Sequence, residues 1–388
     1  MRRISVLPRV KKHAGILICL LLFSLNTLFV LFPLPYGNGK VKEASDTEDN
    51  IMRSVIMGAK ETSRKNALSV AGQENRYETR RNITESTLTT KRSKPWCEEV
   101  LHHYPMALDY RKLLSSSVSS ISSPIHLHPY QYIFNPTRVC NTSNEIFILS
   151  VVKSKIDHFI LRMAIRATWG RKANSKNNRL VFLLGNSKNS TIRYDVRQEF
   201  KMHGDLVMEN FIDSYYNNTI KTTMGVRWIA EFCEKARYVV FVDEDVMVLY
   251  PNLLKFFGGL IKYQELQLFE GEIHTDAGPH RNSTSKWYVS KGEYPFDCYP
   301  PFLSGGTILT SGNVVQKLNT AIPYVKPLKL DDVYLSIVAN KVGITPKNNV
   351  KVCMGVNKSF RDEFITKHGF VNHYLNIGNM LHKRFTDM

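Results

Sequence analysis

From residue 145 onward the chain alternates short apolar runs with amphipathic segments. Residues 145–154 form a continuous apolar run typical of a buried strand, and residues 158–170 repeat apolar side chains at helical spacing before ending at Gly170. The same alternation predicts further strands over 179–187, 206–212 and 238–245, and helices over 191–205 and 219–236. Strands and helices at this spacing indicate βαβ units and a largely parallel sheet. We therefore expect an α/β fold with its ligand crevice at the carboxyl ends of the strands.

A longer apolar stretch lies near the N-terminus. Residues 14–32 carry no charge and would span about 28 Å as a helix, close to the hydrocarbon thickness of a bilayer. Five basic residues precede this stretch and no comparable cluster follows at once, so the positive-inside rule leaves the N-terminus cytosolic. A cleaved signal peptide is the alternative, but the stretch is long for one and no A-x-A site follows it. We predict a cytosolic tail at 1–13 and a single transmembrane signal anchor at 14–33.

The region between the anchor and the alternating pattern is polar. Residues 34–95 are rich in Ser, Thr, Asn and charged residues without a sustained period, which is typical of a flexible stem. Residues 96–140 are transitional, and we expect them to be partly ordered against the domain that follows. The folded lumenal domain is therefore placed at 96–388, and with 43% hydrophobic residues the chain can bury a sizeable core.

The net charge of the chain is strongly positive. Lys and Arg number 52 against 34 for Asp and Glu, a formal net charge of +18. Such a balance is compatible with nucleic acid or an anionic surface as a partner. The basic residues are dispersed, however, and no zinc-finger spacing, basic zipper region or aromatic ribonucleoprotein motif occurs. We therefore expect no nucleic-acid partner.

Sequons and cysteines agree with a lumenal domain. Asn-x-Ser/Thr glycosylation sequons occur at Asn82, Asn141, Asn189, Asn217, Asn282 and Asn357. Beyond the anchor the cysteines are Cys97, Cys140, Cys233, Cys298 and Cys353, with no C-x-x-C pairing that would indicate zinc. Five is an odd number, so one or more disulfides plus a buried thiol is the simplest interpretation, with the connectivity left open.

Three consecutive acids close the strand predicted at 238–245. One interpretation is a strand-end turn, in which an Asp caps the following helix. The other is a metal site, because Asp243 and Asp245 point the same way from an extended backbone and repel each other unless a cation meets them. A hard divalent ion, Mg²⁺ or Mn²⁺, satisfies two such carboxylates and bridges to a diphosphate. Glu244 points the other way and is given no role.

Two polar groups follow in the C-terminal half. Gly305 and Gly306 precede an apolar strand, where paired glycines permit close approach to a ligand or simply make a tight turn. Asp331 and Asp332 precede an apolar helix, and one acid there suffices to cap the helix and complement its dipole. The second acid is available as a general base if it faces the crevice.

Several of these stretches together carry a family resemblance. In the family's order they are 162–170 (RMAIRATWG), 182–185 (FLLG), 205–222, Trp228, Cys233, 242–246 (VDEDV), 299–306 (YPPFLSGG), 331–344 and a late His373. From about 145 to 380 the chain resembles the β1,3-glycosyltransferases of the galactosyltransferase type, glycosyltransferase family 31, which are type II Golgi membrane enzymes. The resemblance implies that 96–388 is a lumenal catalytic domain.

The resemblance also implies a chemistry. It implies a GT-A type fold with a mostly parallel, Rossmann-like sheet, a UDP-sugar donor, Mn²⁺, and inverting transfer to a hydroxyl of a glycan on a glycoprotein or glycolipid. By position, Asp243 and Asp245 match the acids that hold the metal and the donor diphosphate, and His373 matches a further metal ligand. Asp332 matches the general base.

Other residues are assigned by the same resemblance. Arg162, Arg166 and Trp169 match the first motif, near the donor nucleotide, although Arg166 could instead pair with core carboxylates and Trp169 could pack. Apart from the resemblance, candidate acceptor-binding residues are Trp287, Tyr299, Phe302, Gly305 and Gly306, because aromatic faces stack on pyranoses and paired glycines permit close approach; Trp287 could equally belong to the core. Galactose is the favoured sugar; N-acetylglucosamine or N-acetylgalactosamine, a non-catalytic chaperone or lectin-like relative, and a homodimer stay open as alternatives.

Overall fold

A computed structural model describes residues 98–107, 123–356 and 358–386. The predicted tail, anchor and stem, together with Asn82 and Asn357, lie outside the described residues. Within the described ranges, no helix is both long and apolar enough to cross a membrane.

The central element is an eight-stranded sheet with the order β1-β4-β3-β2-β5-β10-β7-β11. The inner strands β4, β3, β2 and β5 run parallel, and β7 is parallel to β11, whereas β1 is antiparallel to β4 and β10 is antiparallel to both β5 and β7. The sheet is therefore mixed, and the expectation of a mostly parallel sheet holds in part. Its strands are Tyr132–Phe134 (β1), Ile146–Lys153 (β2), Asn178–Asn186 (β3), Leu206–Ile212 (β4), Ala236–Asp243 (β5), Phe269–Gly271 (β7), Thr307–Ser311 (β10) and Lys347–Asn348 (β11).

Helices cover both faces of this sheet, as an α/β fold requires. Each strand and helix expected from the hydrophobic pattern between 145 and 245 is present, with ends shifted by a few residues. The helices are Glu98–His103 (α1), Phe159–Ala167 (α2), Trp169–Ala173 (α3), Ser190–His203 (α4), Asn218–Phe232 (α5), Tyr250–Gly258 (α6), Lys262–Glu265 (α7), Gly312–Ala321 (α8), Asp331–Lys341 (α9) and Val371–Thr386 (α10).

The sheet separates two hydrophobic cores. Successive residues of a strand point to opposite faces, so Val151 and Val239 lie in one core while Val152 and Val240 lie in the other. Because both faces are buried, the inner strands are continuous apolar runs rather than alternating ones. Polar side chains are thus placed at the ends of the strands, where the site lies.

Two smaller sheets complete the fold. Val246–Val248 (β6), Thr366–His368 (β13) and Val352–Cys353 (β12) form one, in the order β12-β13-β6, and Ile273–His274 (β8) pairs with Phe302–Leu303 (β9). The register of β13 on β6 sets His368 opposite Val246, and the backbone N–H of Phe370 donates to the carbonyl of Asp245 at 2.8 Å. The C-terminal region is thereby fixed beside the acids that end β5.

The segment before the main sheet packs on the domain, as expected. The Tyr104 hydroxyl donates to the carbonyl of Lys326 at 2.9 Å, and the backbone N–H of Ala107 donates to the carbonyl of Tyr324 at 2.8 Å. The backbone N–H groups of Ile125 and His126 both donate to the carbonyl of Pro323.

A disulfide joins Cys140 to Cys233, and the Cys353 thiol is free and buried. This confirms the expectation of a disulfide with a buried thiol; Cys298 is also disulfide-bonded. The Cys140–Cys233 bond ties the chain before β2 to the end of α5 across 93 residues.

Loss of this disulfide should destabilise the domain. Replacing both Cys140 and Cys233 by Ala releases a long loop in the unfolded chain, at a cost of about 2–5 kcal/mol. We expect a lower melting temperature in a thermal scan under oxidising conditions. Cys353→Ala, which removes a thiol that forms no disulfide, is the control. Equal melting temperatures for wild type and the double variant would show that the bond contributes nothing.

Candidate active site

The ends of three strands meet at one edge of the main sheet. The parallel register of β2 and β5 sets Lys153 beside Asp243, the last residue of each strand. Strand β10 runs the opposite way, so the backbone before it returns to the same edge, where the Asp243 N–H donates to the Gly306 carbonyl at 3.0 Å. A cation, acids and a glycine pair are thus brought together by strand pairing alone.

Lys153 is the positive charge that meets the acids. Its ammonium lies 3.0 Å from an oxygen of Asp243 and 2.8 Å from one of Asp331, and it donates to the Gly305 carbonyl at 2.9 Å. Burial disfavours the charged ammonium, but the two carboxylates outweigh it and raise the pKa of Lys153. Lys153 stays charged and fixes both acids.

Asp245 meets a histidine. His368 Nε2 lies 2.9 Å from Asp245 Oδ2, and this contact raises the pKa of His368 in spite of its burial. The other oxygen of Asp245, Oδ1, and His368 Nδ1 are both buried without a hydrogen-bond partner. An oxygen and a nitrogen ligand side by side, with an orphaned carboxylate oxygen, fit a divalent cation.

His373, the ligand expected from the resemblance, lies elsewhere on the C-terminal segment. It is in α10, where its ring centroid is 5.1 Å from that of Phe370, and burial lowers its pKa. The structure brings His368 and not His373 against Asp245 because β13 pairs with β6, directly after the acid. Among the described residues there is no group of three or more His, Cys, Asp or Glu side chains that could hold a metal ion.

Glu244 is bound to the loop after β2. It accepts hydrogen bonds from the Ser154 hydroxyl at 2.5 Å and from the Lys155 backbone N–H at 3.3 Å, and it pairs with His158. The hydrogen bond to Glu244 is the main reason that the pKa of His158 is raised. These contacts give Glu244 a structural role, since it holds this loop against the end of β5.

Asp331 and Asp332 are the first two residues of α9, and the pKa values of their carboxyl groups are shifted in opposite directions. Burial tends to raise the pKa of Asp331, but Lys153 and the Thr222 hydroxyl, which donates to it at 2.8 Å, lower the pKa overall. Burial raises the pKa of Asp332 to about 7, and the neighbouring Asp331 carboxylate adds to the rise. Adjacent acids with separated pKa values provide one fixed anion and one proton acceptor near neutral pH.

Because Gly305 and Gly306 have no side chains, their backbone passes close to Asp332 and Met354. A Cβ on Gly306 would lie 1.9 Å from Met354 Cε, and one on Gly305 would lie 3.3 Å from the Cβ of Asp332. Side chains there would displace Met354 or crowd Asp332. Gly305 and Gly306 thus shape the floor of the site, whichever substrate they contact.

The three residues assigned to the donor nucleotide are internal. Arg162 is fully buried and forms a bidentate ion pair with Glu199, and Arg166 pairs with Glu199 and Asp205. Trp169 is 1% exposed and its indole donates to the Tyr374 hydroxyl at 2.9 Å. The assignment of direct donor contact is corrected, because the alternative of pairing and packing describes Arg166 and Trp169.

Arg162 nevertheless reaches the site indirectly. Its guanidinium donates to the Ser154 hydroxyl at 3.0 Å and to the carbonyls of Lys155 and Ile156. Those residues form the loop that Glu244 holds. Arg162 is therefore a positioning residue for the loop after β2.

Of the aromatic residues predicted to bind the acceptor, two are buried and one is exposed. Tyr299 and Phe302 are 4% and 8% exposed and pack in a core with ring centroids 5.8 Å apart, so they do not line an open wall. Trp287 is 44% exposed. Its indole N–H approaches the hydroxyl of Tyr215, a residue whose pKa is raised by burial and by the charges of Asp332 and Asp331.

Sequence reasoning missed Lys153, His368 and Tyr215. Lys153 carried a usable signal, since it ends a buried strand at the edge where Asp243 ends the next one. His368 and Tyr215 required knowledge of which distant strand or turn packs beside the acids.

The chain is similar to known galactosyltransferases. A sequence model of the galactosyltransferase family matches residues 161–350. β-1,3-Galactosyltransferase 1 of Mus musculus is 35% identical over 228 residues, covering 58% of this chain and 69% of that protein. β-1,3-Galactosyltransferase brn of Drosophila melanogaster is 35% identical over 246 residues, covering 63% and 73%. Among solved structures, the galactosyltransferase LgtC with donor and acceptor sugar analogues has a TM-score of 0.33 and 12% identity, covering 60% and 95%.

The family match and the two β-1,3-galactosyltransferases identify the protein as a glycosyltransferase that moves a hexose. More narrowly, the chain belongs to the β1,3-galactosyltransferase family, since its aligned residues are 35% identical to those of members of which it spans more than two thirds.

Proposed function

We propose that the protein is a Mn²⁺-dependent, inverting β1,3-galactosyltransferase of the GT-A type that uses UDP-galactose. The observation that carries this proposal is the pairing of Asp245 with His368 at 2.9 Å, with a buried, unpartnered oxygen on Asp245, at the sheet edge that also holds Asp332. A nucleoside diphosphate needs its charge neutralised, and these residues offer an oxygen and a nitrogen ligand for a divalent cation.

Asp245 and His368 are the residues that would hold the metal ion. When bound, a divalent metal stabilises the negative charge that develops on a leaving diphosphate. Asp243 is a positioning residue in this proposal, because its carboxylate is bound to Lys153 rather than free.

Asp332 accepts the proton of the attacking hydroxyl. Its pKa of about 7 lets the carboxylate be ionised at neutral pH and still bind a proton as the hydroxyl attacks. Asp331, held anionic by Lys153, keeps the neighbouring acid from ionising too easily. Attack opposite the leaving group converts an α-linked donor into a β-linked product.

The location proposed is the Golgi membrane, with residues 14–33 as the anchor, 34–95 as the stem and 96–388 in the lumen. The Cys140–Cys233 disulfide supports an oxidising compartment. Asn141, Asn189 and Asn282 are exposed in the structure, as glycosylation requires, while Asn217 is half-buried. UDP-N-acetylglucosamine and UDP-N-acetylgalactosamine are the alternative donors.

The metal assignment is tested by a matched pair of histidine variants. His368→Ala should lose at least about tenfold in Mn²⁺ affinity and in transfer from UDP-galactose, because it removes one of two protein ligands. His373→Ala should behave as wild type in both. Mn²⁺ binding is measured by electron paramagnetic resonance and transfer by release of UDP.

The same assay compares the three UDP-sugars and includes Asp245→Ala. Preference for either amino sugar would reject galactose as the donor. Equal losses in the two histidine variants, or activity unaffected by chelation and by Asp245→Ala, would reject the metal site.

A further inference from the structure

An aromatic shelf lies on the surface beside the catalytic base. It consists of Tyr215, Tyr216, Trp287 and Tyr288, and the first three side chains are 45%, 59% and 44% exposed. Tyr215 and Tyr216 form a short 3₁₀ turn before α5, while Trp287 and Tyr288 lie in the long loop before β9. Exposed aromatic residues from two distant segments, gathered at one place, indicate a binding surface.

Contacts tie the shelf to the base. The charges of Asp332, Asp331 and Asp243 all act on the Tyr215 hydroxyl. Next to this turn, the Thr219 hydroxyl donates to the Leu328 carbonyl at 2.6 Å, which holds the start of α5 against the segment leading into Asp331 and Asp332. A molecule lying on the shelf therefore extends toward the carboxylate of Asp332.

Two lysines give the shelf a positive charge. The Lys286 ammonium lies 4.6 Å from the ring centroid of Trp287 and 5.8 Å from that of Tyr215. The Lys329 ammonium lies 5.0 Å from the ring of Tyr288 and 5.8 Å from that of Tyr216. Each lysine thus bridges the two segments through cation–π contacts, at distances where such attraction is effective.

The two lysines differ in their ion pairing. Lys329 has a carboxylate neighbour, with 3.6 Å between its Nζ and an oxygen of Glu293. No ion pair of the described residues involves Lys286. The acids of the catalytic floor are compensated in part from within, since Lys153 lies between Asp243 and Asp331 and His368 contacts Asp245. The positive charge of the shelf itself is carried by Lys286, beside the rings of Trp287 and Tyr215.

We propose, on the basis of the function proposed above, that the preferred acceptor is an acidic glycan whose carboxylate or sulfate ester is bound by Lys286 on this shelf. The aromatic rings take the apolar face of a pyranose, and the ammonium takes the anionic group. A neutral glycan would use the rings alone and leave the ammonium without a counter-charge.

The test compares three probes that differ only at C6 of the sugar. Benzyl β-glucoside is neutral, benzyl β-glucuronide carries a carboxylate, and benzyl β-glucoside 6-sulfate carries a sulfate ester. With the full-length protein, UDP and Mn²⁺, we expect both anionic probes to bind about five- to tenfold more tightly than the glucoside in titration calorimetry. The same ratio should appear in kcat/KM, and 0.5 M NaCl should reduce it. The relative strength of the two anionic probes identifies carboxylate or sulfate as the group recognised.

Variants assign the preference to the shelf. Lys286→Met should abolish the difference between anionic and neutral probes, and Lys286→Arg should keep most of it. Lys291→Met is the control, because Lys291 lies in the same loop but pairs with Asp297 at the surface. KM for UDP-galactose should not change in any of the three.

Other results would overturn the proposal. Equal binding of the three probes, or tighter binding of the neutral one, would show that charge is not recognised. A raised KM for UDP-galactose in Lys286→Met would place the shelf on the donor side. Selective binding without any sugar transfer would instead count against the proposed function and leave the charge preference standing.

Discussion

Asp332→Asn should reduce sugar transfer by about 10²- to 10⁴-fold, since the variant retains the shape of the side chain but cannot accept a proton. Donor binding should be nearly unchanged, because Asp332 contacts neither Lys153 nor the Asp245–His368 pair. The measurement is kcat with UDP-galactose alongside calorimetric affinity for UDP and Mn²⁺. Asp297→Asn, at an exposed carboxylate far along the chain from the base, is the control.

The pH profile provides a second readout of this base. Because burial raises the pKa of Asp332 to about 7, its carboxylate is mostly protonated at pH 6 and mostly ionised at pH 8. Only the ionised form accepts a proton, so the wild-type rate should rise about tenfold across this interval. Asp332→Asn should lose that rise. A variant with wild-type kcat, or one that retains the same pH dependence, would exclude Asp332 as the base.

Lys153→Met should be the most destabilising single change in the site. It leaves Asp243 and Asp331 partly buried with no cation between them, and loss of one partner of a buried ion pair costs about 3–5 kcal/mol. In a domain of this size the melting temperature should fall by on the order of 10 °C. The measurement is thermal unfolding followed by circular dichroism, at several pH values.

Two comparisons separate charge from packing in this result. Lys155→Met removes an exposed lysine two residues away and should change stability little. The double variant Lys153→Met/Asp331→Asn should recover part of the loss, since it removes one of the two uncompensated charges. The deficit should also shrink as pH falls, because protonation relieves the repulsion between the acids. A deficit independent of pH and of Asp331 would indicate lost packing instead.

The order of strands and helices could be predicted well where both faces of the strands are buried. Strands β2, β3 and β5 are continuous apolar runs because helices cover both faces, and such runs are visible in the sequence. The antiparallel insertion of β10 beside β5 could not be predicted, since strand direction depends on a connection of over sixty residues. That connection contains only short elements without strong periodicity.

The site could be predicted as far as each residue acts locally. Asp243, Asp245 and Asp332 stood out because capping or the helix dipole accounts for one acid at each place, and more than one acid is present at each. The partners of these acids were harder to predict. The acids indicated that a cation lies nearby, but only the register of β2 and β5 shows that Lys153 is the cation beside Asp243. Arg162 and Trp169 belong to a conspicuous motif, yet they act through Ser154 and Tyr374 rather than on a substrate.

On the proposed metal assignment, the strand pairing that brings His368 to Asp245 joins metal binding to folding. One ligand follows the main sheet and the other ends β13 of the small sheet, so the pair exists only while β13 is docked on β6. An ion held by both residues therefore stabilises the docked small sheet by mass action, and any local opening of that sheet weakens the ion's affinity by the same free energy. The region matched by the family ends at residue 350, so half of this coupled unit lies beyond it. In the proposed site, the first turn of α10, where the Tyr374 hydroxyl donates to the Val246 carbonyl at 2.9 Å, is therefore coupled to metal affinity as well.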